Sequence, residues 1–110
     1  MKSEHLGEFE ELILLCVCTL ADEATGARIQ AALERHAARR ASLGSIYAAL
    51  DRMARKGAVE SWLGEPLPER GGRARRHYRA TARGRAALSG LRRVRERLFA
   101  RARLATSKRA

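Results

Sequence analysis

Residues 42–59, with the sequence SLGSIYAALDRMARKGAV, decide how this chain folds. Apolar side chains recur there at the three- and four-residue spacing of a helix, which places them on one face: Leu43, Ile46, Tyr47, Leu50, Met53 and Ala54. Ser42 is a suitable N-cap and Gly57 suits the left-handed position at the C-terminus. The opposite face carries small and polar residues, namely Ser45, Ala48, Ala49 and Arg52. A smooth face of this kind can lie against a flat or grooved partner.

Two more helices are predicted on the N-terminal side of this segment. The first runs from Gly7 to Leu20, and the second from Thr25, a plausible N-cap, to about Arg40. The first is apolar nearly all round, so it must be covered on both sides. In so short a chain a second subunit can supply one of the covers. We therefore expect the far side of the first helix, including Leu14 and Leu15, to lie in a dimer interface.

A basic hairpin is predicted on the C-terminal side. Residues 58–65 and 75–80 have the composition of two strands, and residues 66–73 have the Pro and Gly residues of a turn. Five arginines fall within ten residues: Arg70, Arg73, Arg75, Arg76 and Arg79. Such close like charges repel one another, so solubility alone is a poor reason for them. We therefore favour contact with nucleic acid over a merely solvated loop.

A long last helix is predicted from Thr81 to Leu104. Its apolar residues step by three and four, close to a coiled-coil seam: Ala87, Leu91, Val94 and Leu98. A compact domain of residues 1–80 is too small to cover that stripe, so we expect residues 81–110 to form a dimerisation helix and a basic tail. The fold class is then mainly α with a small β-hairpin: a winged helix-turn-helix followed by a long C-terminal dimerisation helix.

Charge indicates the class of partner. The chain has 110 residues and a formal net charge of +11. Residues 1–65 carry 8 basic and 10 acidic side chains, net −2, whereas residues 66–110 carry 15 and 2, net +13. This excess favours a polyanionic partner. The longest apolar run, Leu12–Cys18, has seven residues, too few to span a membrane, and the acidic residues before it do not resemble a signal peptide. A cytoplasmic location is expected.

Neither catalysis nor cofactor binding is predicted. Cys16 and Cys18 lie two positions apart on a helix and point to different faces, so we interpret them as two small buried hydrophobes rather than as a redox pair. The three histidines show no metal-ligand spacing, and no phosphate loop, nucleophile with a histidine partner or carboxylate pair occurs. The expectation is therefore a protein that is not an enzyme and uses no cofactor or metal.

A family resemblance agrees with these inferences. Over nearly its whole length the chain resembles PadR-family transcriptional regulators, through LGEFEELILLCV at 6–17, SLGSIYAALDRMARKGAV at 42–59, LGEPLPERGGRARRHYRATARGRAAL at 63–88 and one long C-terminal helix. The single last helix is similar to the compact subfamily. The resemblance implies a dimeric winged-helix DNA-binding protein, usually a repressor, and a possible small-molecule effector.

The function expected from the sequence is a sequence-specific, dimeric DNA-binding regulator, most simply a repressor at a palindromic operator. The residues expected to contact double-stranded DNA are Ser42, Ser45, Tyr47, Ala48, Ala49, Arg52, Arg70, Arg73, Arg75 and Arg76. Tyr47 is interpreted as a core ring whose hydroxyl reaches the rim, and Arg52 could instead pair with Asp51 or Glu34. Trp62 is interpreted as core cover rather than as part of a ligand pocket. Two alternatives stay open: a non-specific architectural nucleic-acid-binding protein, and an adaptor for an acidic protein. The operator, the regulated genes, the effector and the choice between repression and activation are not given by the sequence.

Overall fold

The computed structural model describes residues 5–65 and 74–104. Four helices and one hairpin follow in the order α1 (Glu8–Leu20), α2 (Gly26–Ala37), α3 (Leu43–Arg55), β1 (Val59–Leu63), β2 (Arg76–Ala80) and α4 (Ala82–Ala102), with a short 3-10 turn, Ala21–Glu23, after α1. The predicted fold class, mainly helical with a small hairpin, is confirmed. α2 ends three residues before the predicted Arg40, because Ala38 adopts a left-handed conformation (φ 52°) that stops the helix.

The starts of α2, α3 and α4 each carry a side-chain N-cap. Those of α2 and α3 are the ones expected from the sequence, and Thr81 caps α4 in the same way. The hydroxyl oxygens of Thr25, Ser42 and Thr81 accept hydrogen bonds from backbone N–H groups three residues further on. Each bond satisfies one of the donors that a helix start leaves free. Gly57 follows α3 with a φ of 80°, which favours glycine. These local signals begin α2, α3 and α4 where the sequence predicts them.

α1 is the central helix of the core. It contacts α2, α3, β2 and α4, and Ile13, Leu14 and Val17 are almost completely buried. The assignment of Leu14 to a dimer interface is therefore wrong for this side chain, because elements of the same chain already cover it. Of the apolar side chains predicted for the far side, only Leu15 and Cys18 are exposed. Cys18 thus departs from the prediction of two buried cysteines.

α3 packs on the core through a narrower face than its apolar pattern indicates. Ile46, Ala49, Leu50 and Met53 are fully buried. Ala49, which we expected on the outer face, lies three residues after Ile46 and therefore points the same way. Tyr47, expected on the core face, is 41% exposed. Its ring lies beside Gly26, where a Cβ would overlap it.

The hairpin closes the other side of the core. β1 and β2 are antiparallel, with Val59 opposite Ala80 and Trp62 opposite His77. Alternate residues on the inner face, including Val59, Tyr78 and Ala80, are buried. The N–H of Tyr78 also donates to the carbonyl of Ala24 at 2.9 Å, which ties the hairpin to the start of α2. This bond holds the hairpin of β1 and β2, which we call the wing, against the helical part.

α4 begins on the core and then leaves it. Gly84 is buried and Leu88 packs against the core cluster, whereas Val94, Leu98 and Phe99 are 45%, 60% and 45% exposed. One ion pair, from an Nη of Arg95 to Glu11 at 2.7 Å, links the middle of α4 to α1. Among the described residues, no helix is both long and apolar enough to cross a membrane.

Candidate DNA-binding surface

An open groove of about 550 Å³ lies along the outer side of α3. Its walls are formed by Phe9, Arg39, Arg40, Ala41, Ser42, Ser45, Ala48 and Arg52. Four residues of the predicted DNA contacts, Ser42, Ser45, Ala48 and Arg52, are thus brought together on one surface. Two other predicted contacts do not line it: Ala49 is in the core and Tyr47 lies beside α2. We call this surface the α3 groove.

The N-terminal end of the α3 groove presents hydroxyl groups and helix dipole together. The hydroxyl of Ser42 accepts the backbone N–H of Ser45 at 3.0 Å, and the two side-chain oxygens are 2.9 Å apart. Both serines are exposed. Because a helix N-terminus attracts anions, this end of the groove is suited to a phosphate group.

The C-terminal end of the groove is organised by one buried carboxylate. Glu10 is 5% exposed. Its Oε2 accepts the Nε–H of Arg52 at 3.0 Å, and its Oε1 accepts the Nζ–H of Lys56 at 2.7 Å and the backbone N–H of Gly7 at 3.0 Å. Arg52 pairs with Glu10 rather than with Asp51 or Glu34, the partners expected from the sequence.

The environment of Glu10 favours the charged carboxylate. Burial by itself raises the pKa of this group. The hydrogen bonds from Lys56, from the Gly7 N–H and from Arg52, together with the charge of Lys56, outweigh that effect and hold the pKa of Glu10 below its ordinary value. Glu10 is therefore an anion at neutral pH that two cations of α3 and its C-cap surround.

Sequence reasoning missed four residues of this surface: Phe9, Glu10, Arg39 and Arg40. The guanidinium of Arg39 lies 5.0 Å from the centre of the Phe9 ring, and its Nη1 is 3.4 Å from Glu8. Arg39 and Arg40 stand just before the N-cap Ser42, so a basic pair in the turn of a helix-turn-helix was an available signal. Glu10 gave no such signal, because its partners are more than forty residues away in sequence.

The wing divides its arginines between two roles. Arg75 and Arg76 are exposed, and Arg76 donates from Nη1 to the hydroxyl of Ser61 at 3.0 Å. Arg79 instead pairs with Glu60 at 2.7 Å and lies 4.8 Å above the ring of Trp62. Arg70 and Arg73, the other predicted wing contacts, lie outside the described residues. Arg75 and Arg76 are therefore the wing arginines that the structure leaves available.

The other residues considered for ligand binding, redox chemistry or metal binding have surroundings that indicate a structural role. Trp62, expected to cover the core, is not among the described side chains that pack on the core; its ring stacks on that of His77 instead, with ring centres 5.4 Å apart. Cys16 is buried, and burial raises the pKa of its thiol, the opposite of a reactive thiolate. In residues 5–65 and 74–104, no three His, Cys, Asp or Glu side chains cluster as metal ligands would.

The residues predicted for dimerisation fall into three groups. Leu14 is in the core, Ala87 and Leu91 are half-buried on the first part of α4, and Leu15, Val94 and Leu98 are exposed. Phe99 widens the exposed stripe on α4. An apolar surface of this kind is available on one side of the chain, on α1 and α4.

Comparison with known proteins identifies the family. A model of the transcriptional regulator PadR-like family matches residues 14–90. No protein in a curated set matches the sequence. Among solved structures, a PadR-like transcription factor from Bacteroides fragilis has a TM-score of 0.72 and 20% identity, with 86% of each chain covered.

Two other structures show the same fold. A PadR-like transcriptional regulator from Bacillus cereus has a TM-score of 0.68 and 23% identity, and covers 86% of this chain and 87% of its own. A PadR-family regulator from Clostridium difficile has a TM-score of 0.66 and 23% identity, with 86% and 97% covered. The family model spans well over half of the chain, so this chain belongs to the PadR-like family of transcriptional regulators.

Proposed function

We propose that this protein is a dimeric, sequence-specific repressor that binds a palindromic operator in double-stranded DNA. Residues 1–80 would form the DNA-binding unit, and residues 81–110 would supply the dimerisation helix. α3 would enter the major groove with Ser45, Ala48 and Arg52 towards the bases, while Ser42 and the turn before it face the phosphates. Family membership supports DNA-binding regulation; the particular contacts are our proposal.

The observation that carries the proposal is the α3 groove. Small side chains at Ser45 and Ala48 leave room for a close approach of α3 to base edges, and the arginines at positions 39, 40 and 52 border them. A surface that combines close approach with flanking cations fits a nucleic-acid groove, because the phosphates lie on both sides of the bases. Tyr47 is 41% exposed beside the start of α2, and in this proposal its hydroxyl would contact a backbone phosphate.

The wing supplies the second contact in this proposal. Arg75 and Arg76 are exposed at the start of β2, and the hairpin is held to the helical part through the Tyr78–Ala24 hydrogen bond. A hairpin that carries arginines in this position can contact the DNA backbone or enter the minor groove beside the site that α3 reads. Arg70 and Arg73 would extend the same contact along the turn.

A two-fold dimer would give the operator its symmetry. The exposed apolar side chains of α4 and Leu15 favour burial against a second copy, since large exposed apolar patches are uncommon on monomers. Two α3 helices related by a dyad would read half-sites roughly 34 Å apart, one turn of DNA. Repression needs only occupancy of the operator, whereas activation needs a further contact with polymerase. Response to a small-molecule effector is a further expectation from the family resemblance.

The decisive experiment is selection of bound duplexes from a random pool, followed by titration of the selected duplex and of a scrambled one at the same salt concentration. A palindromic consensus and a preference of at least ~10³ are expected for a specific regulator. Equal affinity for both duplexes would favour the architectural alternative, and no binding at low salt would favour an acidic protein partner. An in vitro transcription assay with the selected site over a promoter should then show less transcript.

Single charges on α3 test the proposed orientation. Ser45→Glu and Ala48→Glu each place a carboxylate in the α3 groove, and repulsion by the phosphates should lower affinity for the selected duplex at least ~100-fold. Ala54→Glu is the control, because Ala54 is exposed on the same helix but outside the groove. Normal binding by either groove variant would remove this face of α3 from the DNA.

A further inference from the structure

A buried carboxylate lies behind Arg52, one of the three arginines that line the α3 groove. Glu10 stands at the start of α1, forty-two residues from Arg52, and is among the few charged side chains that the core buries. Removing a carboxylate from water costs several kcal/mol unless hydrogen bonds compensate it. Here three donors compensate it, namely Arg52 of α3, Lys56 at the C-cap of α3 and the backbone N–H of Gly7, and Lys56 alone would neutralise its charge.

The hydrogen bond from Arg52 to Glu10 fixes one edge of the Arg52 guanidinium. Arg52 contacts Glu10 through Nε–H, on the inner edge of the guanidinium, and in the described part of the chain Glu10 is its sole ion-pair partner. Its side chain is 47% exposed and lines the α3 groove. A guanidinium has five N–H donors in a fixed plane. Within the described residues, the hydrogen bonds of Arg52 use only this donor, so its Nη groups stay available to a ligand in the α3 groove.

We propose that Glu10 is a positioning residue for DNA recognition: it holds the Arg52 guanidinium in the orientation in which its Nη groups meet the operator. This inference rests on the proposed function, in which Arg52 touches DNA. An arginine side chain on a surface loses rotamer entropy when it is ordered at an interface. A fixed partner that orders the arginine side chain before binding reduces this entropy loss, but only for contacts that use the fixed orientation. Such a partner therefore favours binding at the specific site over binding to other DNA.

The sign of the effect separates this proposal from simple electrostatics. Removing a negative charge from a DNA-binding surface should by itself strengthen binding to any duplex. If Glu10 positions Arg52, its removal should weaken binding to the selected duplex while binding to scrambled DNA stays equal or becomes stronger. A purely structural role predicts a lower stability with an unchanged ratio of the two affinities in the folded protein.

The test is a double-mutant cycle on the full chain, with the selected and the scrambled duplex as probes. We expect Glu10→Ala to reduce the ratio of the two affinities about tenfold, and Glu10→Gln, which keeps an acceptor for the Nε–H, to reduce it less. In an Arg52→Ala background, Glu10→Ala should change the ratio less than twofold, since the residue it positions is gone. Glu8→Gln is the matched control, because Glu8 is on the same turn of α1 and pairs with an arginine of the groove, Arg39.

A second measurement does not depend on DNA. In ¹⁵N-labelled protein the Nε–H of Arg52 should give a resolved, slowly exchanging signal that Glu10→Ala removes and Glu8→Gln leaves in place. Absence of that signal in the wild-type protein, or its survival in Glu10→Ala, would contradict the proposed orientation.

The outcomes distinguish the two proposals. If wild-type protein shows no preference for any selected duplex, or Arg52→Ala binds as wild type, the role of Arg52 in DNA recognition fails and positioning by Glu10 fails with it. If Arg52→Ala loses the preference but Glu10→Ala keeps it, DNA recognition by Arg52 stands and positioning by Glu10 alone is wrong. A fall in the ratio for Glu10→Ala that is just as large in the Arg52→Ala background would also overturn positioning.

Discussion

At the scale of single residues, one glycine permits a close approach between α4 and the base of the hairpin. Gly84 stands in the first turn of α4, where its backbone N–H donates to the hydroxyl of the N-cap Thr81 at 3.0 Å. A Cβ at this position would overlap the carbonyl oxygen of Ala58, at the base of the hairpin. The same threonine hydroxyl donates to the carbonyl of Gly57 at 2.6 Å. Helix α4 therefore starts in contact with the chain that leaves α3.

This approach predicts the effect of the smallest possible substitution. Gly84→Ala should lower the free energy of unfolding by about 1–3 kcal/mol, because the added methyl forces backbone atoms apart. Gly44→Ala is the control: a Cβ there meets nothing nearer than the hydroxyl of Ser42 at 3.9 Å, and the helix should gain up to about 1 kcal/mol. Urea denaturation measures both. Equal stability of the two variants would contradict the tight packing at position 84.

Glu10 makes a second prediction at this scale, in the pH dependence of stability. Its pKa is lowered in the folded protein, so its contribution is present above the unfolded value of about 4.3 and is lost as the pH falls through the lower folded pKa. Glu10→Gln should reduce the free energy of unfolding by about 1–2 kcal/mol at pH 7. The difference from wild type should shrink between about pH 5 and pH 3.

A series of urea denaturation curves from pH 7 to pH 3 checks this. The exposed pair of Glu8 with Arg39 is the comparison: Glu8→Gln should change stability by less than about 0.5 kcal/mol at any pH, since exposed pairs contribute little. A constant difference between wild type and Glu10→Gln across that range would show that the carboxylate charge is not what stabilises the fold.

At the scale of elements, α3 and the wing show how far helical and strand periodicity go. The three-residue step from Ile46 assigns Ala49 to the core, and strand alternation buries Tyr78 and Ala80 while it exposes Arg79. Periodicity does not indicate which exposed arginine already has a partner within the protein. Arg79 is held by Glu60 and Trp62, whereas Arg75 is exposed at the start of the return strand.

The wing prediction follows from that division. Changing Arg75 and Arg76 together to Ala should weaken binding to both selected and scrambled DNA and reduce the log–log salt slope by about 0.9 for each phosphate that the protein no longer neutralises. Arg93→Ala with Arg97→Ala removes equal charge from exposed positions of α4, off its apolar stripe, and should leave the slope near its wild-type value. An unchanged slope for the wing variant would mean that these two arginines are only solvated.

At the scale of the whole molecule, α4 gives the chain its elongated form. The principal extents are 55 × 35 × 21 Å, whereas the core lies around α1 and α3. The part of α4 beyond Leu91 carries Val94, Leu98 and Phe99 in solvent. Because apolar surface is driven out of water at about 25 cal/mol per Å², these side chains favour association with a second copy. We therefore expect the full chain to dimerise through the side chains of α4 that its own core leaves exposed.

This expectation can be tested without disturbing the core. Val94→Asp with Leu98→Asp places two charges on exposed positions, so the monomer should stay folded while dimerisation is lost and affinity for the selected duplex falls towards the non-specific level. Ser89→Asp with Arg93→Asp, on the outer side of α4, should still dimerise. Analytical ultracentrifugation at micromolar concentration decides between them. A monomeric wild-type protein, or a dimeric Val94→Asp, Leu98→Asp variant, would remove this stripe from the interface.

The sequence by itself determined the elements and their order. N-cap hydroxyls at Thr25, Ser42 and Thr81, the positive-φ Gly57 and apolar periodicity are local signals, acting within one or two helical turns. They predicted the four helices and the hairpin, and together with the resemblance they predicted the family that the comparisons confirmed. Four of the residues expected to touch DNA, including Ser45 and Arg52, also lie together as expected.

Tertiary structure alone decided which apolar sides are covered and which charges are paired. Leu14 is buried because α1 is surrounded by elements of its own chain, a packing relation that a one-dimensional pattern does not contain. Glu10 meets Arg52 and Lys56 across more than forty residues; its local position at the start of α1, where it accepts the N–H of Gly7, does not indicate these two partners. Periodicity reports the faces of a helix, but the partner of each face depends on contacts between residues distant in sequence.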